Sequence, residues 1–119
     1  MKRMLKRYCF VIEINPDQME DYVAIHKDPW PDTLKLLKKA GAAELQVYRY
    51  GNFSILFWQA EDLNEVYRQW GATETCKKWN LRLAKAYKVS PSIDGSSDVE
   101  TCEKIFDLNQ QLAGKLEQY

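Results

Sequence analysis

The chain has one histidine, three cysteines and no excess of either charge, with 17 Lys and Arg against 17 Asp and Glu in 119 residues. Each scarcity excludes something. Cys9, Cys76 and Cys102 are odd in number and widely spaced, which gives neither a disulfide framework nor a paired-cysteine zinc motif, so the thiols are read as reduced. With a single histidine beside them, no metal is expected. Balanced charge supplies no field to draw the chain to nucleic acid or to an anionic membrane. The largest basic cluster, Lys2, Arg3, Lys6 and Arg7, reads as a solvated start. Apolar runs are too short to span a bilayer, and no h-region with a cleavage site follows Met1, so a cytoplasmic protein is expected. This length suits one domain, since a second would leave neither half an adequate core.

What the chain does have is periodicity. RYCFVIEI places Tyr8, Phe10, Ile12 and Ile14 on one face of a strand and Arg7, Cys9, Val11 and Glu13 on the other. Asn15-Pro16-Asp17 supplies turn and helix-start chemistry, with Asp17 suited to a first helical turn. Met19, Tyr22, Val23, His26 and Trp30 then recur at spacings of three and four, which predicts a helix with His26 one turn beyond Tyr22. Trp30-Pro31 marks a boundary, and a second helix is expected from about Asp32 to Ala40, burying Leu34, Leu37 and Ala40 and stopped by Gly41. ELQVYRY and FSILFWQ, joined by Gly51-Asn52, form a hairpin signature. Helical spacing returns from about Leu63 to Tyr87, with a break at Gly71 and with Trp79, Leu83 and Ala86 inside. SPSIDGSS, Ser90 to Ser97, reads as a loop, and EKIFDL, Glu103 to Leu108, as a last strand.

In order this is β, a broken α, β, β, α, β: an α+β fold of the split βαβ, ferredoxin-like kind. Residues 1–108 are expected to form that domain and 109–119 a polar C-terminal tail that is mobile or an appended helix. Helices cover one face of such a sheet. The other is expected to carry Val11, Leu56 and Trp58 beside Arg7, Glu13, Gln46 and Tyr48, so that two copies meeting face to face would enclose a mixed polar and aromatic cavity. A cavity of that make-up suits a neutral polyol, and equally a flat aromatic ligand.

His26 is the one side chain whose ordinary pKa, about 6.5, lets it give and take a proton near neutrality. A histidine on an apolar helix stripe is more often packed and hydrogen-bonded than catalytic, and spacing names no second catalytic group. Packing is likewise the default for Tyr22, Trp30 and Trp79.

The run VIEINPDQMEDYVAIHKDPWPDTLKLLKKAGA, continuing through VYRYGN and TCKKWN to EKIFDL, resembles the L-rhamnose mutarotase family, which also includes L-fucose mutarotases. The likeness spans Arg7 to Leu108, and the ordered set N-P-D, Y-x3-H and W-P is more specific than any one piece. It implies a dimeric α+β barrel of ferredoxin-like subunits, with Tyr22 contacting a sugar and His26 donating a proton. Two departures bear on the substrate. Trp79-Asn80 stands where the rhamnose enzymes commonly carry paired tryptophans, and Leu45 where they carry a sugar-binding tyrosine. RYCF and YRYGN resemble the fucose branch, INPD and TCKKW the rhamnose branch.

The resemblance implies exchange of the α and β anomers of a 6-deoxy-L-hexose by opening and reclosing the hemiacetal, without a cofactor. The ring oxygen gains a proton as the anomeric hydroxyl loses one. His26 is expected to serve the ring oxygen, with Glu13 as base, as a hydroxyl holder or as a partner of Arg7. Tyr22, Tyr48, Trp79 and Trp30 are expected to contact the sugar. Two other readings stand beside it: a dimeric α+β barrel that binds or oxidises a small aromatic ligand or holds heme, and an interaction module without chemistry.

Overall fold

The computed structural model describes residues 4–89, 91, 93 and 95–119. Of the expected Ser90–Ser97 loop, Ser90, Ser92 and Asp94 lie outside the described residues, as do Lys2 and Arg3 of the basic cluster. Three strands, β1 (Lys6–Glu13), β2 (Glu44–Tyr50) and β3 (Phe53–Ala60), form one antiparallel sheet in the order β1-β3-β2. α1 (Met19–Lys27) and α2 (Pro31–Ala40) link β1 to β2, and α3 (Leu63–Gly71) and α4 (Glu74–Leu83) follow β3. This is the expected α+β arrangement with an antiparallel sheet.

Local chemistry explains the boundaries. Pro16–Gln18 is a single 3-10 turn rather than the start of α1, and the Asn15 side chain donates to the carbonyls of Lys85 and Tyr87 instead of capping it. That ties the end of β1 to the chain beyond α4. Pro31 occupies the first turn of α2, where its missing N–H costs nothing, and Gly41 ends the helix at φ 115°, a left-handed conformation open to glycine. Gly51, at φ 58°, takes the first central position of the β2–β3 hairpin, between the paired Tyr50 and Phe53. Asp62 and Thr73 cap α3 and α4 by accepting from the backbone N–H groups of Glu65 and Cys76. The break expected at Gly71 is where α3 ends, and the cap at Thr73 starts α4 just beyond it.

Register decides which side of the sheet is covered. Tyr8 pairs with Trp58, Phe10 with Leu56 and Ile12 with Ser54, so these six share a face. On it Phe10, Ile12, Leu56 and Trp58 are buried under the helices together with Met19, Val66, Trp70 and Leu83. Val11, Tyr48, Phe53 and Phe57 lie on the opposite face and are exposed. The expectation that Leu56 and Trp58 sit on the open face with Val11 is therefore corrected. β3 is apolar on both sides, and the amphipathic stripes of α3 and α4 settle which side becomes core.

Two further expectations change. Leu34 is not buried on α2, where Thr33, Leu36, Leu37 and Ala40 face inward instead. Glu103–Leu108 forms no strand; α5 (Leu108–Leu112) begins where it was expected to end. Among the described residues the outer edge of β1 is met at two points, by the Cys102 N–H on the Cys9 carbonyl and the Lys88 N–H on the Glu13 carbonyl. Beyond Cys102 the chain turns onto its own tail. Lys104 hydrogen-bonds Gln118 and Gln110 and pairs with Asp107, which leaves Ile105 and Phe106 exposed. The tail's last residue, Tyr119, returns to lie against Tyr8 and under Lys6.

Candidate active site

Helical spacing assembles the site. Tyr22 and His26, one turn apart on α1, both face the covered side of the sheet. His26 Nδ1 is 2.6 Å from the Tyr22 carbonyl oxygen. A carbonyl can only accept, so Nδ1 carries the hydrogen, and in the neutral ring Nε2 is the bare nitrogen. The Tyr22 ring packs on His26 with centroids 4.2 Å apart, and Trp79 of α4 meets the imidazole edge-on at 5.5 Å. Rotation of the imidazole is thus opposed by one hydrogen bond and two aromatic neighbours.

The Tyr22 hydroxyl shares a 2.7 Å hydrogen bond with Ser54 Oγ, and both residues are buried. This bond crosses from α1 to β3 and fixes the helix over the strand. On the outside, Arg82 of α4 donates two hydrogen bonds to Asp21 of α1, at 2.6 and 2.8 Å. They hold the Asp21 carboxyl below its usual range and clasp α1 to α4, the two helices that carry His26 and Trp79.

Between the helices and the covered sheet face lies a cavity of about 580 Å³, lined by Tyr22, His26, Leu37, Val47, Ser54 and Trp79 among others. That volume falls within the range of small-molecule sites. Its wall is apolar with few polar groups, and no Asp or Glu is among the described residues that line it. Thr33 Oγ1 and Trp58 Nε1, on two lining residues, are buried without a hydrogen-bond partner among the described residues. Burial lowers the pKa of His26, against the opposing effect of its hydrogen bond to the Tyr22 carbonyl, which keeps the imidazole neutral near neutral pH. Burial raises that of Tyr22, against the hydrogen bond from Ser54, so its hydroxyl stays protonated. Among the described residues, no three His, Cys, Asp or Glu side chains are grouped to hold a metal ion.

Of the residues singled out from sequence, Tyr22, His26 and Trp79 converge on the cavity. Trp30 stands behind them, edge-on to Trp79 at 5.4 Å. Tyr48 borders the cavity, yet its ring lies on the open face against Phe57, with its hydroxyl donating to Gln46. Glu13 is not brought in. It points to the open face and pairs with Lys88 at 3.1 Å. Sequence reasoning missed Ser54 as a site residue and set Trp58 on the wrong face. The signal that bears on both is register counted outward from the Gly51-Asn52 turn, which opposes Ser54 to Arg49 and Trp58 to Leu45 and so sets them on one face with Val47.

Comparison with known proteins identifies the family and supports the fold. The profile of the L-rhamnose mutarotase family matches residues 7–108. The chain is 30% identical over 105 residues to L-rhamnose mutarotase of Shigella dysenteriae serotype 1, covering 86% of this chain and 97% of that one. It is 29% identical over the same shares to the enzyme of Cronobacter sakazakii. Among solved structures, L-rhamnose mutarotase from Formosa agariphila superposes with a TM-score of 0.66 at 25% identity, covering 86% of this chain and 97% of that one. Tetracenomycin F2 cyclase from Streptomyces glaucescens, a polyketide cyclase, superposes with a TM-score of 0.60 at 16% identity over 86% and 95%, a likeness of fold alone. With β2, β3, α1 to α4 and the Tyr22–His26 pair inside the matched span, this chain belongs to the L-rhamnose mutarotase family.

Proposed function

We propose that this protein is an aldose mutarotase that interconverts the α and β anomers of a 6-deoxy-L-hexose, L-rhamnose or L-fucose. The observation that carries the reading is the locked imidazole: Nδ1 is committed to the Tyr22 carbonyl, and Nε2, without a partner among the described residues, stands beside a cavity large enough for a monosaccharide. During exchange the aldehyde turns about C1–C2, so the anomeric oxygen changes place while the ring oxygen does not. One fixed group can therefore serve the ring oxygen in both half-reactions. His26, neutral at rest, takes a proton from water at Nε2, gives it to the ring oxygen as the C1–O bond breaks and takes it back on closure. With no carboxylate on the described wall, the anomeric hydroxyl exchanges its proton with water.

Trp79, backed by Trp30, offers an aromatic surface for the C–H face of the ring, and the Tyr22 hydroxyl a polar contact. Tyr48 contributes at the rim. Leu37 and Val47 suit a C6 methyl, although apolar walls reject an added hydroxyl by only about 100-fold. Glu13, on the other face of the sheet, takes no part. The exposed apolar residues of that face, Val11, Tyr48, Tyr50, Phe53 and Phe57, support a homodimer in which a second copy covers them. Among the described residues no helix is long and apolar enough to cross a membrane. We place the enzyme in the cytoplasm.

Saturation-transfer NMR on equilibrated L-rhamnose and L-fucose, with wild type and His26→Gln, tests the reading. Faster exchange by wild type on at least one sugar, lost in the variant, is the expected result. No acceleration on either sugar overturns it.

A further inference from the structure

Two of the three cysteines meet although they are far apart in the chain. Cys9 lies in β1, and Cys102 follows the loop that runs along its outer edge. The Cys102 N–H donates to the Cys9 carbonyl at 2.7 Å, setting the two backbones side by side as in a strand pair. Burial and, beside it, the Cys102 thiol raise the pKa of the Cys9 thiol. Directly adjacent positions of this kind bring Cα atoms within the span that a disulfide bridges. Cys9 is partly covered and Cys102 is exposed, whereas Cys76 is buried under Asn80 and away from both. Neither Cys9 nor Cys102 lines the cavity of His26, so this pair stands apart from the sugar site.

We propose that Cys9 and Cys102 form a redox modification site, closing to an intrachain disulfide with a low-molecular-weight disulfide as oxidant. The exposed Cys102 thiolate attacks one sulfur of the oxidant RSSR, forming a mixed disulfide and releasing one RS⁻. The Cys9 thiolate then attacks Cys102 Sγ, forming the Cys9–Cys102 bond and releasing the second RS⁻. The protein loses two protons and two electrons, and the oxidant becomes two RSH. The order of attack follows from environment. Burial, with the Cys102 thiol beside it, pushes the Cys9 thiol up to about 11, so Cys9 acts second. Closure pins the start of the C-terminal segment to β1, where among the described residues one hydrogen bond from Cys102 holds it. It also removes freedom from the unfolded chain across a long loop, which raises Tm by several degrees.

The test treats the full reduced chain with glutathione disulfide under native conditions and follows intact mass, free thiols and linked peptides. A mass lower by two hydrogens, one remaining thiol and a Cys9–Cys102 peptide from monomeric chain are expected. Cys102→Ser should retain its other thiols, keep its fold and match the reduced wild type in sugar exchange. A glutathione adduct that persists on Cys102, a cross-link between chains, or three thiols left after long exposure each overturn the proposal. Exchange activity measured on the same samples stands or falls separately, so failure of the sugar reading is distinguished from failure of this one.

Discussion

The two faces of the one sheet carry nearly equal apolar content and meet opposite fates. Phe10, Ile12, Leu56 and Trp58 face the helices and are buried, whereas Val11, Phe53 and Phe57, one residue out of phase, face outward and are exposed. Composition cannot separate the faces, because a strand that is apolar on both sides satisfies the alternation either way. The difference is made by what each face is offered. α1, α2, α3 and α4 bring their stripes to one side, while nothing in the described chain covers the other. The lesson is that the covered face gains a core and a cavity together, since helices that arch over a sheet leave space where small residues such as Ser54 stand.

The sharpest way to break the comparison is to truncate one aromatic on each side. Trp58→Ala should cost about 3–5 kcal/mol, the range for emptying a buried aromatic site. Phe57→Ala, 44% exposed, should cost about 1 kcal/mol or less in the single chain. Urea unfolding of the two variants at low protein concentration reads the ratio. Equal losses would mean that a second copy covers the open face even there, and dilution would then weaken the effect of Phe57→Ala alone.

Next in size is the chemistry. His26→Gln should lower anomeric exchange by roughly 100-fold or more, the scale of a lost general acid, with the far-ultraviolet circular dichroism spectrum unchanged. Glu13→Gln, on the other face and engaged with Lys88, should leave exchange within about 2-fold of wild type. A large loss from Glu13→Gln would bring the open face into the site and undo the assignment of the cavity.

A smaller effect probes how the covered face holds its polar atoms. Ser54→Ala strands the Tyr22 hydroxyl and should cost about 1–3 kcal/mol, the penalty for a buried group left without its partner. Combining it with Tyr22→Phe should recover much of that loss, because removing both partners leaves nothing unsatisfied. Calorimetry on the four proteins of this cycle gives the coupling directly. Additive losses would show that water already serves the Tyr22 hydroxyl.

Legibility in the sequence follows the same physics. The strands β1, β2 and β3 and the Tyr22–His26 pair were readable because each is a local periodicity, two residues per repeat or four. Ser54 was not, since one serine in an apolar strand has no period and its partner is 32 residues away. EKIFDL reads as a strand because Ile105 and Phe106 suit one. A strand needs a neighbour, and after Cys102 this chain bonds its own tail at Gln110 and Gln118 rather than the β1 edge. Tertiary choice overrides propensity there. Trp79 was placed by helical spacing, whereas the ring of Tyr48 could be placed only by register.

The smallest effect links the covered face to pH. Burial holds the pKa of His26 below the 6.5 of a free imidazole, with the hydrogen bond to the Tyr22 carbonyl working against it. As pH falls through 6.5 the unfolded chain takes up a proton that the folded chain takes up only at lower pH. The unfolded state binds more protons across that window, so stability falls as pH drops through it and levels off once both forms are protonated. Urea midpoints from about pH 8 to about pH 5 should therefore decline more steeply for wild type than for His26→Gln, since other groups contribute equally to both. Parallel slopes would mean that the imidazole charges as readily inside the fold as outside it. Nε2 would then stand in water, and the cavity side of the sheet would lose its distinction as the drier face.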